Sequence, residues 1–577
     1  MADKTASART LWLRVALIAA AIAAFADAMS YATANEATPQ QVVFCVCLAL
    51  GCALLLTFAT RRMAVALLTT SVLALLLQTI ALLKMQYLNL PLFAPDLFYY
   101  SNGNTLEVIE HYPEISQEII GRLLFALGLI GLCGFCEPPL WRRMRWPRRL
   151  LVQLFGIFAS VAAIWGVSRP AGPFKEIHAP GPWESITSTS PLTAFVLSAY
   201  RMHVSLPAPD PQLADRYDWG AAASPEKSAD PTPHRVLPDI VVVLEESTFD
   251  PTILDACTIP QCTSPLFAAD ANTAAHGPLH VHTFGGGTWT SEFALFTGLP
   301  TTLFGDGGFY APFNLAPRVR FALPRLLKQR GYRNIAVYPM PATFGDARRA
   351  YMDYGFDEFH DSSEFHLTWT SPDSAIEGEL EKIYAKARAE NDQPLFVMLL
   401  TMRQHGPHNE SLATLAPPFD KPLFPHLDAK ANVHLGNYLS RMTGSLEALN
   451  RLQATLFASG RPAILVHFGD HQPSFDGQMW QLPNTAAAEK LGDPRGTTYY
   501  MIRSNLADAS KHDYPVLDIG FLAGLILDTA DIPKSPFFTA NTAMRQRCDG
   551  RYLDCADKTL LDSYLSFVFT RLRAIAN

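Results

Sequence analysis

The chain has 577 residues, of which 49% are hydrophobic, and a slightly positive mean hydropathy. Its length exceeds that of a usual single domain, and its apolar content is high for a purely soluble protein. The formal net charge of -7 argues against a nucleic-acid-binding protein, because such proteins usually carry a basic surface.

Five apolar segments in the first third of the chain have the length of membrane spans. Each approaches the roughly 20 residues that a helix needs to cross a bilayer. The segments cover residues 11–30, 41–60, 63–83, 119–136 and 150–167. A cleaved signal peptide is the alternative for the first one, but its length and the spans that follow at once favour an uncleaved helix. We therefore predict a transmembrane domain of five helices over residues 1–168.

The basic residues between these segments predict the orientation of the chain. They are concentrated in the N-terminal flank, the second turn and the fourth connection, at Lys4, Arg9, Arg14, Arg61, Arg62, Arg142, Arg143, Arg145, Arg148 and Arg149. The two intervening loops carry one lysine between them. Basic loops stay on the cytoplasmic side, so we expect the N-terminus inside and everything after residue 168 outside.

The cysteines are also divided between the apolar segments and the part of the chain that follows them. Five lie in the apolar segments, and four lie after them, at Cys257, Cys262, Cys548 and Cys555. The close spacing of the last four suits two local disulfides in an oxidising compartment. A metal site is the alternative, although no histidines stand around them at zinc-finger spacing.

The rest of the chain divides into a connector and a layered domain. Residues 169–236 are rich in Pro, Ala and Asp, which is typical of an extended or loosely helical connector. From residue 237 the short apolar runs "DIVVVLEES", "NIAVYP", "PLFVMLLTM" and "AILVHFGDH" alternate with helical stretches. Such runs indicate buried parallel strands. We predict an α/β domain over 237–545 and a C-terminal segment over 546–577.

Acidic residues and histidines stand where these strands end. The first run ends in Glu245 and Glu246, His405 follows the third, and Asp470 and His471 follow the fourth. Functional groups gather at the carboxyl ends of parallel strands, and carboxylates with an imidazole suit Mn, Zn or Mg. Each pair alone is also compatible with a hydrogen-bonded loop. Either glutamate could be the ligand, because strand alternation points the two to opposite faces.

The stretch "TFGGGTWTSEF" at 283–293 places three glycines before a threonine at the start of an expected helix. Glycines allow unusual backbone geometry and close approach, and a helix start favours anions. Thr288 is therefore a candidate nucleophile if it meets a metal. The alternative is a glycine turn in which Thr288 is only a helix cap.

Together these motifs resemble the sulfatase-like transferases of the alkaline phosphatase superfamily, and most closely lipoteichoic acid synthases and the phosphoglycerol transferases of periplasmic glucans. The motifs occur in family order over residues 237–530, as Glu246-Ser247, Gly287-Thr288 with Glu292-Phe293, "GFDEF" at 355–359, His405-Gly406-Pro407, and Gly469-Asp470-His471. The resemblance implies an exported sulfatase-like or alkaline-phosphatase-like α/β domain behind the transmembrane helices.

The resemblance also implies roles for individual residues. The expected ligands of one divalent ion, with Mn first and Zn or Mg as alternatives, are Glu246, Thr288, Asp470 and His471. Thr288 would form the covalent intermediate. His405 would bind the substrate phosphate or transfer a proton, and Arg348 and Arg349 are candidates for substrate binding.

The function that the resemblance implies is transfer of phosphoglycerol from phosphatidylglycerol to an envelope glycan or glycolipid, at the bacterial inner membrane with the catalytic domain on the periplasmic side. The alternatives are a phosphoethanolamine transferase acting on lipid A or a glycan, a phosphodiesterase or phosphatase-type hydrolase, and a non-catalytic relative. A sulfatase of the usual type is disfavoured because the chain has no "CxPxR" arrangement.

Overall fold

The computed structural model describes residues 2–88, 90–99, 113–184, 190–220, 236–368, 370–506 and 512–576. Within them the chain forms two compact units. The first contains residues 1–86 and 90–202, and the second contains residues 87–89 and 203–577.

The first unit contains the five helices expected from the apolar segments, and this prediction is confirmed. They are α1 (Ala2–Ala32), α2 (Pro39–Thr60), α3 (Met63–Leu88), α4 (Pro113–Cys136) and α5 (Trp146–Ser168). All five contain a stretch long and apolar enough to cross a membrane. A further helix, α6 (Pro191–Arg201), follows them in the same unit.

The ends of these helices explain why the chain turns where it does. Thr38 and Gln41 form a capping box at the start of α2. Glu137, just after α4, accepts hydrogen bonds from the backbone N–H groups of Met63, Ala64 and Val65. Because these groups have no partner within their own helix, the buried carboxylate caps α3 and joins it to the end of α4.

The predicted connector, residues 169–236, is divided between the two units. Residues 185–189 and 221–235 lie outside the described part of the chain. Residues 203–220 belong to the second unit, where Trp219 is buried and donates a hydrogen bond from its indole N–H to Ser563. Of the predicted connector, residues 203–220 therefore pack as part of the second unit.

The second unit is an α/β layer built on one eight-stranded sheet. Its strands are β1 (Asp239–Glu245), β2 (Thr273–His280), β3 (Arg333–Val337), β4 (Glu358–His360), β5 (Leu395–Leu400), β6 (Ala463–Gly469), β7 (Thr497–Ser504) and β8 (Leu517–Asp518). The strand order is β4-β3-β5-β1-β6-β7-β2-β8. Only β7 runs against its neighbours, so the carboxyl ends of the other strands share one edge.

Helices that lie between and after the strands in the sequence pack against this sheet. The helices of seven residues or more are α7 (Thr288–Thr297), α8 (Leu323–Gln329), α9 (Ala347–Tyr354), α10 (Asp373–Glu390), α11 (Ala429–Ala458), α12 (Leu522–Thr529), α13 (Pro536–Arg547) and α14 (Lys558–Ser566). The four cysteines of the second unit form the disulfides Cys257–Cys262 and Cys548–Cys555, which excludes the alternative of a cysteine metal site.

Hydrophobic clusters lie on both faces of the sheet. In β1, Ile240, Val242 and Leu244 belong to one cluster, while Val241 and Val243 belong to the other. This alternation is the expected one for a strand buried on both faces. It also separates the two glutamates at the end of β1.

Candidate active site and metal-binding cluster

The turn after β1 holds the first acidic group of the site. Glu246 is 2% exposed, and its Oε1 accepts a hydrogen bond of 2.8 Å from the Ser247 hydroxyl. Ser247 has a φ of 52°, a left-handed conformation that is uncommon for a residue other than glycine. This conformation turns the Ser247 N–H toward Asp470, whose Oδ1 accepts it at 2.8 Å.

The end of β6 supplies the second acidic group and a histidine. Asp470 and His471 directly follow the strand and are almost fully buried. Gly469 allows this arrangement, because a Cβ at that position would lie 1.7 Å from the Thr248 carbonyl oxygen. The two strand ends therefore approach each other closely, which brings their side chains into one cluster.

The three glycines and α7 position Thr288. Gly285, Gly286 and Gly287 all have positive φ values, of 73°, 157° and 86°. Gly287 is the N-cap of α7, and Thr288 is the first residue of that helix. Thr288 is therefore not the cap itself, contrary to the alternative considered from the sequence. Ser291, in the first turn of α7, donates a hydrogen bond of 2.7 Å to the Asp470 carbonyl. This bond connects the helix to the end of β6.

The four predicted metal ligands converge. The Thr288 hydroxyl donates to Glu246 Oε2 at 3.0 Å. His471 Nε2 lies 3.4 Å from Glu246 Oε1 and 3.3 Å from Asp470 Oδ2. One ligand atom from each of Glu246, Asp470 and His471 lies within 4.8 Å of the others. The structure thus brings together residues that are 225 positions apart in the chain.

Hydrogen bonds prepare the histidine for a ligand role. The backbone carbonyl of Gln472 lies 3.0 Å from His471 Nδ1 and accepts a hydrogen bond when that nitrogen carries the proton. The lone pair is then on Nε2, which faces the two carboxylates. This outer hydrogen bond is the usual way in which a protein fixes the tautomer of a metal-binding histidine.

The electrostatics of the cluster favour a bound cation. Burial raises the pKa of Asp470 well above its usual range, and the nearby charge of Glu246 raises it further. Burial also raises the pKa of Glu246, but the charges of His471 and His405 and the bonds from Ser247 and Thr288 lower it on balance. Burial lowers the pKa of His471. Buried carboxylates of this kind are stable only when paired or bound to a metal.

The residues present fit a divalent metal ion. Asp470 Oδ2 and His471 Nε2 are buried and have no hydrogen-bond partner of acceptable geometry. Both atoms face the space bordered by Glu246 and Thr288. Two carboxylates, one imidazole and one hydroxyl form a mostly oxygen donor set, which suits Mn, Mg or Zn.

Glu245 lies on the opposite face of the sheet, as the strand alternation requires. It is fully buried, its Oε2 lies 3.4 Å from the Thr401 hydroxyl, and burial together with the charges of Asp373 and Glu377 raises its pKa well above the usual range. Of the two glutamates considered from the sequence, the structure brings Glu246 to the cluster.

His405 and the two arginines occupy different positions. His405 is half-buried after β5 and lies close enough for its charge to lower the pKa of Glu246. Arg348 and Arg349 are on α9, with half-exposed side chains that pair with Asp361 and Asp346. Among the described contacts, neither arginine touches the four converging residues.

A buried glutamate beside the cluster had no predicted chemical role. Glu292, on α7, accepts a hydrogen bond of 2.6 Å from the Tyr351 hydroxyl. Burial, together with the charges of Asp470 and Glu246, raises its pKa to about 8. The "TSEF" motif points to Glu292, but no local pattern in the sequence connects it to a tyrosine 59 residues away.

Residues 238–518 match the family model described as Sulfatase. This segment contains β1 to β8 and all four converging residues. The N-terminal five-helix unit precedes the matched segment.

Two curated relatives resemble the chain. An uncharacterized protein of Haemophilus influenzae is 33% identical over 356 residues, which cover 58% of this chain and 61% of that protein. A Rhizobium meliloti protein described as "Putative cyclic beta-1,2-glucan modification protein" is 25% identical over 248 residues, or 42% of this chain and 37% of that protein. The matched regions thus span about 61% and 37% of these relatives.

Among solved structures, the phosphoglycerol transferase GacH of Streptococcus pyogenes, in complex with sn-glycerol-1-phosphate, is similar with a TM-score of 0.48. It is 16% identical, and the alignment covers 64% of this chain and 95% of that one.

Proposed function

We propose that this protein is a membrane-anchored transferase that moves a phosphoglycerol group from phosphatidylglycerol to an envelope glycan, with Thr288 as the nucleophile. The observation that carries the proposal is the convergence of Thr288 with Glu246, Asp470 and His471 at the carboxyl edge of the sheet. The motif order that resembles phosphoglycerol transferases supports the type of group transferred. The description of the Rhizobium relative supports a glycan acceptor.

The first half-reaction follows from the contacts of Thr288. Its Oγ attacks the head-group phosphorus, and a bond from Oγ to phosphorus forms while the bond to the diacylglycerol oxygen breaks. Glu246 Oε2, which already accepts the hydroxyl hydrogen bond, is placed to take the proton. A bound divalent ion, with Mn as the first candidate, would supply positive charge at Oγ and at the phosphoryl oxygens.

The second half-reaction reverses these roles. A bond from an acceptor oxygen to phosphorus forms while the bond from Thr288 Oγ to phosphorus breaks, and Glu246 returns its proton to Oγ. His405 can give a proton to the departing diacylglycerol oxygen and later take one from the acceptor. Arg348 and Arg349, whose side chains are half exposed, are candidates for contacts with the substrate.

The five apolar helices support a lipid donor in the same bilayer. A site tethered to the membrane meets a phospholipid at a higher effective concentration than a freely diffusing one. The positive-inside pattern supports the bacterial inner membrane with the domain on its periplasmic side.

Intact-protein mass spectrometry after brief exposure to a bacterial lipid extract tests this function. We expect a phosphoglycerol adduct on the wild-type chain and none on Thr288→Ala, together with a loss of turnover of more than about 10³-fold. Thr443→Ala is the matched control, because this residue is exposed in α11 and its hydroxyl donates to the Leu439 carbonyl of the same helix.

The other outcomes separate the alternatives. A phosphoethanolamine adduct on Thr288 would keep the mechanism and change the donor. An unchanged adduct on Thr288→Ala would disprove the nucleophile. Release of glycerol phosphate to water, at the same rate with and without glycan, would identify a hydrolase.

A further inference from the structure

A second group of metal-ligating side chains lies at the end of β2, apart from the four converging residues. His280 is the last residue of β2, and His282 follows two positions later. Asp518 is the last residue of β8, which pairs with β2 so that His280 and Asp518 are opposite each other. Their ligand atoms all lie within 4.8 Å of one another.

The two distances from Asp518 to the histidines are close to those between neighbouring ligands of a tetrahedral zinc ion. Asp518 Oδ2 lies 3.0 Å from His282 Nε2 and 3.4 Å from His280 Nδ1. Zinc bonds of 2.0–2.1 Å in tetrahedral geometry separate neighbouring ligand atoms by about 3.3 Å. A single ion can therefore contact all three atoms with only small shifts of the side chains.

Asp518 and His280 each have a further polar partner outside the cluster. Asp518 Oδ1 accepts a hydrogen bond of 2.9 Å from the Gly520 N–H, which leaves Oδ2 for the histidines. His280 Nε2 faces Asp493 Oδ2 at 3.7 Å. A carboxylate on the far nitrogen of a histidine is the usual outer shell of a metal ligand, because it orients the ring and makes it more basic.

A small cavity lies beside these ligands, and the surrounding charged groups are mostly negative. A cavity of about 10 Å³ is lined by two of the three ligands, His280 and Asp518, together with Arg551 and Asp554 but not by His282. This is space for about one water molecule or ion. Arg551 donates to the Leu491 carbonyl, so part of its hydrogen-bonding capacity is used there. The three nearby carboxylates of Asp493, Asp518 and Asp554 outnumber this one cation.

We propose that His280, His282 and Asp518 form a second metal site that binds Zn²⁺ and joins the end of β2 to β8. Two imidazoles and one carboxylate are a zinc donor set, whereas the cluster at Thr288 offers mostly oxygen. His282 lies six positions before Thr288, and the next residue, Thr283, donates from its hydroxyl to the Gly286 carbonyl. A metal here would stabilise the strand end from which the glycine turn begins.

The competing state is a proton in place of the metal. Burial lowers the pKa of His280, but hydrogen bonds and charges from Asp493 and Asp518 outweigh it and raise this pKa to about 10. In that state His280 would be an imidazolium ion paired with two carboxylates. Direct measurement of bound zinc distinguishes the two states.

Zinc content measured on the purified full-length chain tests the proposal. After treatment with a chelator, equilibration with Zn²⁺ and removal of free metal, D470N weakens the Thr288 cluster and should still bind one zinc per chain. The combination of D470N with H280Q and H282Q should bind none. Because the comparison is made within the D470N background, it does not depend on transfer activity or on the nucleophile.

Controls cover non-specific binding and misfolding. The variant H366Q/H426Q removes two exposed histidines and should keep the zinc content of its parent. If the double substitution does not fold, H282Q alone should weaken zinc binding at least tenfold. X-ray absorption at the zinc edge of D470N should show imidazole ligands. Equal zinc in D470N with and without His280 and His282, or a zinc shell without imidazole, would overturn the site.

Discussion

At the scale of single residues, the site depends on buried acids whose cost is balanced by specific partners. Glu246 and Asp470 each accept short hydrogen bonds from neighbouring groups, and Glu292 accepts one from Tyr351. Glu292 differs from the other two because, in the part of the chain that the structure describes, no hydrogen bond or ion pair joins it to His471 or Thr288. Its raised pKa is therefore a cost of burial rather than a preparation for binding a metal.

The cost of burying Glu292 should appear in the pH dependence of the free energy of unfolding. The pKa of Glu292 is raised from 4.5 to about 8, so the folded chain holds a proton that the unfolded chain releases between these values. The wild type should lose stability as the pH rises from about 5 to 8. In Glu292→Gln the side chain stays neutral and Tyr351 can still donate to the amide oxygen.

Thermal unfolding of the metal-free protein in detergent checks this expectation. The variant should match the wild type near pH 5 and exceed it at pH 8 by on the order of 3 kcal/mol. Glu447→Gln, on the outer part of α11, is the control and should show no such divergence. Parallel stability curves for Glu292→Gln and the wild type would contradict a buried neutral carboxyl.

At the scale of secondary-structure elements, the glycine turn and α7 together position Thr288. Gly287 caps the helix with a φ of 86°, and a Cβ there would lie 2.9 Å from the Thr283 hydroxyl. An alanine at this position would have a strained backbone conformation, and its Cβ would be too close to the Thr283 hydroxyl. Strain of this kind costs about 1–3 kcal/mol, and relieving it requires a movement of Thr288.

We therefore expect Gly287→Ala to reduce turnover much more than stability. Turnover should fall by more than about 10²-fold, while the free energy of unfolding falls by only about 1–3 kcal/mol. Gly378→Ala is the matched control, because Gly378 lies within α10 with open space around its Cα. There alanine should be neutral or stabilising. Wild-type turnover in Gly287→Ala would show that the turn does not position the nucleophile.

The elements also show how far the sequence alone predicts this molecule. The apolar runs at β1, β3, β5 and β6 and the five membrane helices were predictable, because continuous burial leaves a continuous pattern. β2, by contrast, contains Gly277 and Pro278, so its sequence does not predict a strand. β8 has only two residues and exists through its pairing with β2.

The same reasoning applies to the site. Glu246, Thr288, Asp470 and His471 were predictable because each belongs to a motif at a strand or helix end. The pairings of Ser291 with the Asp470 carbonyl and of Tyr351 with Glu292 depend on packing between distant segments. His280 and Asp518 are likewise 238 positions apart, so no local pattern connects them.

At the scale of the whole molecule, the cysteines divide the chain into two chemical environments. The five free cysteines all lie in membrane helices, and the four cysteines of the second unit form two disulfides. Disulfides persist in oxidising compartments and are rare in the cytosol. The positive-inside pattern independently predicts export of the same region.

Thiol labelling therefore tests which compartment the second unit occupies. When membranes are dissolved in denaturant with a thiol-alkylating reagent, the intact mass should show five labels without a reductant and nine with it, because the chain has 9 cysteines. Cys257→Ser/Cys262→Ser is the control and should give five labels before reduction and seven after it. Nine labels on the unreduced wild type would place the second unit in a reducing compartment. A lipid head group on the outer leaflet could not then be its donor, whatever the chemistry at Thr288.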